Sequence, residues 1–264
     1  MKLEIKDLMF SYGSKPVLEN IEMQASPGAI TAVIGANAAG KTTLLKCIAG
    51  ILRAEGNIIL DGKEMNNFKK EEITKYVSYL PQETSAHAVL TVFEAVLLGR
   101  LHSLSWIVSD DALTLVSEVL EDLEIEDLAS SNLNELSGGQ KQMVSIAQSL
   151  VREPKVLLLD EPTSSLDLQH QLEVLDLIRD VTMERKITTL IALHDLNLAA
   201  RYADKFVVLN KGVVYASGKP ASVLTPEMVR YVYGVNATVY TDGDGIPRIT
   251  PISSVRRANR SNKK

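Results

Sequence analysis

The sequence predicts an α/β fold in which helices cover a mostly parallel β-sheet. Apolar segments with strand character lie at residues 29–35, 156–160 and 188–195, and stretches with helical spacing follow the first two. Strands that alternate with helices are typical of parallel sheets. Residues 91–150 carry helical spacing without a strong strand. We therefore expect an α/β layer with a helical insert.

The amino-terminal part predicts a strand and then a strand–loop–helix unit. Apolar and charged residues alternate at a period near two from Leu3 to Phe10, which indicates a β-strand. The segment at 29–35, AITAVIG, is apolar on both faces, as in a central strand covered on both sides. A glycine-rich turn and the helix-like KTTLLKCIAG follow it directly.

The remaining elements follow from turn chemistry and periodicity. The Asp-Gly pair at 61–62 is a hairpin candidate within NIILDGKEM, and residues 242–245 are another. QLEVLDLIRDVTMER predicts a helix, and the chain from residue 213 predicts mixed short elements. Apolar positions with helical spacing in the insert are Val92, Ala95, Val96, Leu97, Leu113, Val116, Val119, Leu120 and Leu123.

Composition excludes several classes of protein. The chain has 264 residues, with 28 Lys and Arg against 33 Asp and Glu, and it is 45% hydrophobic, which argues against disorder and against a whole-chain nucleic-acid binder. The single cysteine, Cys47, excludes a disulfide framework and favours a reducing compartment, the cytoplasm by default. The longest stretch without Asp, Glu, Lys or Arg runs from Met23 to Gly40 and contains Pro27, so it predicts no membrane span. We expect a soluble chain that reaches a membrane only through a partner.

The sequence GANAAGKT at 35–42 matches the phosphate-binding pattern G-x-x-x-x-G-K-[ST]. It lies between a predicted buried strand and a helix start, where backbone N–H groups and the helix dipole can surround phosphates. In this motif Lys41 reaches the β- and γ-phosphates, and the Thr42 hydroxyl ligates Mg²⁺. The motif predicts a nucleotide site.

The sequence VLLLDEP at 156–162 supplies a second part of that site. Four apolar residues end at Asp160, which puts a carboxylate at the carboxyl end of a strand, where ligands bind in open α/β sheets. We expect Asp160 to hold Mg²⁺ and Glu161 to act as the base for the attacking water.

The sequence LSGGQ at 136–140, which opens a helix-like stretch before Asp160, resembles the signature motif of ATP-binding-cassette (ABC) ATPases. Ser137 and the two glycines after it would form a second anion site at a helix start. Because this motif lies in the insert, away from the phosphate loop, we expect it to meet the nucleotide of a second copy.

The resemblance extends from about residue 2 to 235 and assigns roles to further positions. Tyr12 in FSYG matches the aromatic residue that stacks on adenine, and Gln82 in YLPQ matches the glutamine that links Mg²⁺ and water to the insert. SSLD at 164–167 matches the loop between facing subunits, and His194 matches the histidine that contacts the γ-phosphate. The assigned positions are Glu161, His194, Lys41 and Gln82 for catalysis; Tyr12, Gly35, Ala36, Asn37, Ala38, Ala39, Gly40, Lys41, Thr42 and Thr43 for ATP; Leu136, Ser137, Gly138, Gly139 and Gln140 for the partner's ATP; Ser165, Leu166 and Asp167 for the dimer loop; and Thr42, Gln82 and Asp160 for the metal.

Two departures from the family pattern stand out. Members usually carry Gly-Pro-Asn-Gly where this chain has Gly35-Ala36-Asn37-Ala38. Alanine at 38 predicts that this position avoids strongly positive φ, with altered loop geometry or nucleotide affinity. KQM at 141–143 replaces the common Arg-Gln-Arg, which removes one positive charge. Since neither change removes the lysine, a metal ligand or the base, hydrolysis is still expected.

The resemblance implies a P-loop NTPase (RecA-like) fold with an antiparallel β subdomain, in one ABC ATPase domain over residues 1–264. The expected parts are a nucleotide-binding core at 1–82 and 151–250, a helical subdomain at 83–150 with the signature, and a basic disordered tail at 251–264. The cofactors would be ATP and Mg²⁺, and hydrolysis would be coupled to transport.

The implied partners are a second copy in an ATP-sandwich dimer, membrane permease subunits and, indirectly, an extracytoplasmic substrate-binding protein, with no nucleic acid. The chain would lie peripherally on the cytoplasmic face of the membrane. The segment TPEMVRYVYGV resembles the ATPases of ferric-siderophore, haem and cobalamin importers. Import of zinc or manganese, and a soluble ABC ATPase outside transport, are the alternatives.

Overall fold

The strands form three sheets in a computed structural model that describes residues 1–82, 90–100 and 108–255. The strands are β1 Leu3–Tyr12, β2 Lys15–Ala25, β3 Ala29–Ile34, β4 Glu55–Leu60, β5 Lys63–Glu64, β6 Val77–Leu80, β7 Val156–Asp160, β8 Thr188–Ala192, β9 Lys205–Asn210, β10 Val213–Gly218, β11 Val235–Thr241 and β12 Pro247–Ser254.

Helices alternate with these strands along the described parts of the chain. They are α1 Lys41–Ile48, α2 Lys70–Tyr76, α3 Val92–Leu98, α4 Asp110–Asp122, α5 Gly138–Leu150, α6 Leu168–Glu184, α7 Leu196–Tyr202, α8 Pro220–Val223 and α9 Pro226–Met228, followed by a π-helical turn at Val229–Tyr233. Short 3-10 turns lie at Met65–Asn67, Glu126–Leu128 and Leu133–Glu135.

The central sheet has six strands in the order β10-β9-β3-β8-β7-β6. Strands β9, β3, β8, β7 and β6 run parallel, and β10 pairs antiparallel with β9. A second sheet, β2-β1-β4-β5, is antiparallel, and β11 and β12 form a separate hairpin. The predicted α/β fold with a mostly parallel sheet and an antiparallel sheet is confirmed.

Strand β3 is buried on both faces, as its continuous apolar sequence predicts. Ile30 and Ile34 join the core that includes the insert helices. Val33 points to the opposite face and joins the core formed with β1, β2 and α1. The sheet therefore lies between two apolar layers, and this fixes the edge from which its loops emerge.

The apolar positions with helical spacing that were predicted in the insert are buried except at two positions. Val92 and Ala95 of α3 and Val116 of α4 pack into the core, whereas Leu97 is partly buried and Leu113 is exposed. Within residues 90–100 and 108–150 the structure contains helices, 3-10 turns and one isolated bridge. The predicted turn at 61–62 also forms, with both residues at positive φ between β4 and β5.

The predicted disordered tail is wrong for residues 251–254, which belong to β12 and pair with β11. Pro247 and Pro251 argue against a strand in the sequence, because proline lacks the N–H that a strand donates to its neighbour. The Ile249 N–H points away from β11 to a side chain outside the hairpin, and prolines two residues away on either side share that orientation, so no ladder hydrogen bond is lost. Residues 256–264 of the predicted tail lie outside the described residues.

Within the part of the chain that the structure describes, no helix combines the length and the apolar character needed to cross a bilayer.

Cys47 provides a probe of the packing beneath the phosphate loop. It is 1% exposed in α1, and burial raises the pKa of its thiol to about 12. We expect labelling by a thiol reagent at pH 8 to be slower by at least about 100-fold in the native protein than in denaturant, because burial limits access of the reagent and lowers the fraction of thiolate. Equal rates in the two states would contradict this packing of α1.

Candidate active site

A cleft of about 650 Å³ opens at the carboxyl ends of the parallel strands. It is lined by phosphate-loop residues 37–43, by Gln82, Glu161 and His194, by residues 15–17 at the start of β2, and by residues 211–212 in the turn between β9 and β10. Ligands bind at this edge of open α/β sheets, and the volume lies within the range of about 300–1,000 Å³ for small-molecule sites.

The phosphate loop connects β3 to α1, as the sequence predicts. Gly40 adopts φ 105°, and a Cβ there would lie 2.8 Å from a Leu18 methyl carbon, so only glycine fits. Lys41 is buried, and its Nζ donates to the Gly35 carbonyl at 3.1 Å. Burial lowers the pKa of the Lys41 ammonium, and the nearby Glu161 carboxylate opposes the shift.

Ala38 corrects one expectation from the sequence. Its φ is 60°, in the left-handed region that alanine was expected to avoid. The residue is exposed on the loop, so the conformation is confined to a single residue and costs roughly 1–2 kcal/mol. The loop thus accepts alanine at 38 through local backbone strain.

Asp160 ends β7 as a buried carboxylate with two hydroxyl partners. The Thr42 hydroxyl donates to Asp160 Oδ1 and the Tyr79 hydroxyl donates to Oδ2, both at 3.1 Å. Burial and the neighbouring carboxylate raise the pKa of Tyr79. Mg²⁺ prefers oxygen ligands and is usually bound by one or two protein groups together with phosphates. Thr42 and Asp160 therefore form a donor set that fits the predicted metal.

Glu161, the next residue, meets a different pair of side chains. Gln82 Nε2 donates to Glu161 Oε2 at 2.9 Å, and His194 Nε2 lies 2.5 Å from Oε1. The Glu161 backbone has φ 54°, and its N–H donates to the Ala192 carbonyl at 3.1 Å. Positive φ at a non-glycine residue is a recurrent feature of functional sites. Three residues assigned to catalysis thus meet at one carboxylate.

Tyr12 lies beside the cleft rather than among the residues that line it. Its side chain is 52% exposed, and its ring packs edge-on against Phe10 with centroids 4.8 Å apart. Tyr12 pairs across the β1–β2 hairpin with Lys15, which does line the cleft. An exposed aromatic face is therefore available at the cleft margin.

The signature segment lines a different cleft. Ser137 is exposed and begins α5, where its hydroxyl accepts from Gln140 N and its own N–H donates to Gln140 Oε1. Gly139 and Gln140 face α6 and border an acidic groove of about 830 Å³. Within the described residues, the signature is not brought to the phosphate-loop cleft of its own chain.

The loop assigned to dimer contacts is held from inside the chain. Leu166 is buried, and Gln171 Nε2 donates to its carbonyl at 3.0 Å. Ser165 is exposed, and the exposed Asp167 caps α6 by accepting from the His170 backbone at 3.0 Å. Ser165 and Asp167 are nevertheless exposed, so a second subunit could contact them.

The sequence motifs do not identify several side chains at the site. Tyr79 lies in YLPQ at 79–82, and its position on a strand adjacent to β7 was the available signal. Lys15 and Lys211 add positive charge to the cleft margin but belong to no recognised motif. His170 packs on the signature, which depends on the approach of α6 to α5 and has no local signal.

Gly139 allows a direct test of the signature packing. A Cβ at this position would lie 2.5 Å from His170 Cδ2, whereas a Cβ at Gly138 would meet nothing within 4 Å. We expect Gly139→Ala to lower the free energy of unfolding by about 1–3 kcal/mol through overpacking, with Gly138→Ala as the matched control. His170→Ala makes room and is expected to remove most of that loss in the double variant, measured by denaturant unfolding. Equal stability of the two glycine variants would contradict the packing.

The sequence is similar to known ABC transporter ATP-binding proteins over most of its length. A family model described as ABC transporter matches residues 18–164. An uncharacterized ABC transporter ATP-binding protein of Methanocaldococcus jannaschii is 44% identical over 96% of this chain and 98% of the relative. The petrobactin import ATP-binding protein FpuD of Bacillus anthracis is 36% identical over 98% and 96%. Other relatives, 33–36% identical, are named for import of iron(3+)-hydroxamate, for transport of ferric enterobactin and for import of hemin.

Among solved structures, one assigned to a metal-chelate type ABC transporter in an inward-facing conformation superposes with a TM-score of 0.82 at 27% identity. The match covers 95% of this chain and 97% of the other. The family model and the near full-length relatives agree with the nucleotide motifs and with the fold. The chain therefore belongs to the ABC transporter ATP-binding family of ATP-hydrolysing transporter subunits.

Proposed function

We propose that this chain hydrolyses ATP to power an importer of chelated metal, carrying a ferric siderophore, haem or cobalamin through separate membrane subunits. The observation that supports this most is the group of relatives named for petrobactin, hydroxamate, enterobactin and hemin import, each matching at least 90% of this chain. An ATPase subunit on the cytoplasmic side would not contact the cargo. The similarity to these relatives therefore reflects common ancestry of the ATPase and not a cargo-binding pocket in this chain.

Binding of ATP is proposed to use the phosphate loop and its margin. Backbone N–H groups of residues 37–43 and the start of α1 surround the phosphates, and buried Lys41 moves from the Gly35 carbonyl to the β- and γ-phosphates. Tyr12 stacks on adenine at the cleft margin. Thr42 and Asp160 would hold Mg²⁺, with Gln82 nearby, and the ion would supply positive charge to the phosphates.

Hydrolysis is proposed to depend on Glu161 as general base. Its two oxygens are held by Gln82 and His194, so the carboxylate is oriented before substrate binds. A water beside Glu161 attacks the γ-phosphorus, its proton passes to the carboxylate, and the bond to the ADP oxygen breaks. Lys41 and His194 stabilise the charge on the transferred phosphoryl group.

The signature is proposed to act on a second copy of the chain. Ser137 and the start of α5 present a hydroxyl and backbone N–H groups outside the chain's own cleft. A head-to-tail pair would put each signature over the other copy's γ-phosphate, with Ser165 and Asp167 at the contact. ATP closes this pair and hydrolysis reopens it, which moves the attached membrane subunits.

The proposed partners are permease subunits that dock near Gln82 and the helical insert, and an extracytoplasmic protein that delivers the cargo. The chain would lie on the cytoplasmic face of the membrane as a peripheral subunit. The proposed division is a core at 1–82 and 151–250 with a helical subdomain at 83–150.

Co-purification of the tagged native complex tests the proposal. We expect a many-helix permease and ATP turnover that rises severalfold with one loaded chelate-binding protein, because cargo delivery is coupled to closure of the pair. A matched Glu161→Gln complex keeps its shape but loses the base, and should show no stimulation.

Other results overturn parts of this account. Stimulation only by a zinc- or manganese-loaded protein would replace the cargo class. Recovery of ribosomal or DNA-repair proteins without a permease would overturn transport while leaving the ATPase activity.

A further inference from the structure

We propose that Asn197 is a positioning residue for hydrolysis, because it attaches the first turn of α7 to the C-terminal hairpin and thereby fixes His194 against Glu161. This inference rests on the role of His194 in the proposed function. It adds a second part of the chain, β11 and β12, to the support of the catalytic residues.

His194 depends on the backbone for its position. Its side chain is 47% exposed, and its recorded partner is the Glu161 carboxylate at 2.5 Å. Leu193 before it is buried, and Asp195 after it caps α7 by accepting from the Asn197 and Leu198 N–H groups. His194 therefore belongs to the short connection between β8 and the first turn of α7. If that turn moves, the imidazole ring moves with it.

Asn197 holds this turn from outside with both ends of its amide. Ile249 N–H donates to Asn197 Oδ1 at 2.8 Å, and Asn197 Nδ2 donates to the Ile249 carbonyl at 3.2 Å. These two Ile249 groups belong to the free edge of β12, where a strand leaves backbone groups without a ladder partner. The Asn197 side chain thus makes the two hydrogen bonds that a neighbouring strand would make with Ile249. This requires a donor and an acceptor on one group, which the planar side-chain amide supplies.

The hairpin is rigid enough to act as an anchor. Asp242 closes its turn by accepting from Ile246 N–H at 2.9 Å and from Arg248 Nε at 2.7 Å. At the opposite end, Asn236 Nδ2 donates to Ser253 Oγ at 3.1 Å. Since these bonds do not involve α7, removal of the Asn197 amide leaves the hairpin itself intact.

The same C-terminal segment also reaches the phosphate loop. Tyr233 ends the π-helical turn that precedes β11, and its buried hydroxyl lies beside the Gly35 backbone N–H without a well-formed hydrogen bond. Burial raises the pKa of Tyr233, so the hydroxyl stays neutral. One segment thus contacts the loop proposed to bind ATP and the turn that carries His194.

Loss of the Asn197 amide should affect the chemical step rather than ATP binding. Asp195 still caps α7, and the phosphate loop keeps Lys41 and Thr42. The imidazole, however, would sample positions away from Glu161. Small misplacements of catalytic groups lower turnover strongly, while interactions that bind substrate and transition state equally are reflected in KM.

The experiment compares steady-state ATP hydrolysis by the full chain as wild type, Asn197→Ala, Asn236→Ala and His194→Ala. Asn197→Ala is expected to lower kcat about tenfold and to leave KM for ATP within about twofold. Asn236→Ala removes one side-chain hydrogen bond from the same hairpin, away from α7, and should leave both constants unchanged. Both asparagine variants are expected to lower Tm by a similar few degrees, about 2–4 °C.

The outcomes separate the inference from the function on which it rests. Equal kcat in the two asparagine variants, or a change in KM alone in Asn197→Ala, overturns the positioning role of Asn197. If His194→Ala is nearly inactive in the same experiment, the proposed mechanism of hydrolysis still holds. Wild-type kcat in His194→Ala overturns the role of His194, and the role of Asn197 with it.

Discussion

The parallel pairing of β3, β8, β7 and β6 is the constraint on which the rest of the site depends. Because the four strands point the same way, the segments that leave them emerge at one edge of the sheet: the phosphate loop, the Asp160–Glu161 pair, His194 and Gln82. Residues more than 100 positions apart in the chain therefore reach hydrogen-bond distance, as between Thr42 and Asp160. The two apolar layers that bury both faces of the sheet hold this register.

The two adjacent carboxylates divide the chemistry between them. Asp160 accepts from the hydroxyls of Thr42 and Tyr79, and its carboxylate together with the Thr42 hydroxyl offers oxygens suited to Mg²⁺, whereas Glu161 meets Gln82 and His194. Asp160 is the last residue of its strand, whereas Glu161 follows with a left-handed backbone at φ 54°, so strand alternation no longer sets its direction. In the account proposed here, one carboxylate orders the metal and the other orders the water.

Features encoded within short segments could be predicted from the sequence, whereas contacts between distant parts of the chain could not. The phosphate loop, the strand ending at Asp160 and the helix start at the signature motif depend on residues near one another in sequence, and the structure contains each of them. Tyr79 on Asp160 depends on the register between β6 and β7, which no short segment encodes. The strand at 251–254 escaped prediction because prolines that face a free edge resemble loop prolines in the sequence. The assigned roles of the site residues stay predictions.

The central claim is that each ATP is enclosed by two chains, and complementation between inactive variants tests it most directly. Lys41→Ala removes the phosphate contact but keeps the signature, and Ser137→Arg blocks the signature but keeps the phosphate loop. A mixed pair retains one complete site, so an equimolar mixture should recover at most about one quarter of wild-type ATP turnover although each variant alone is inactive. A mixture that stays as inactive as its components, at protein and ATP concentrations that support the wild-type pair, would contradict the account.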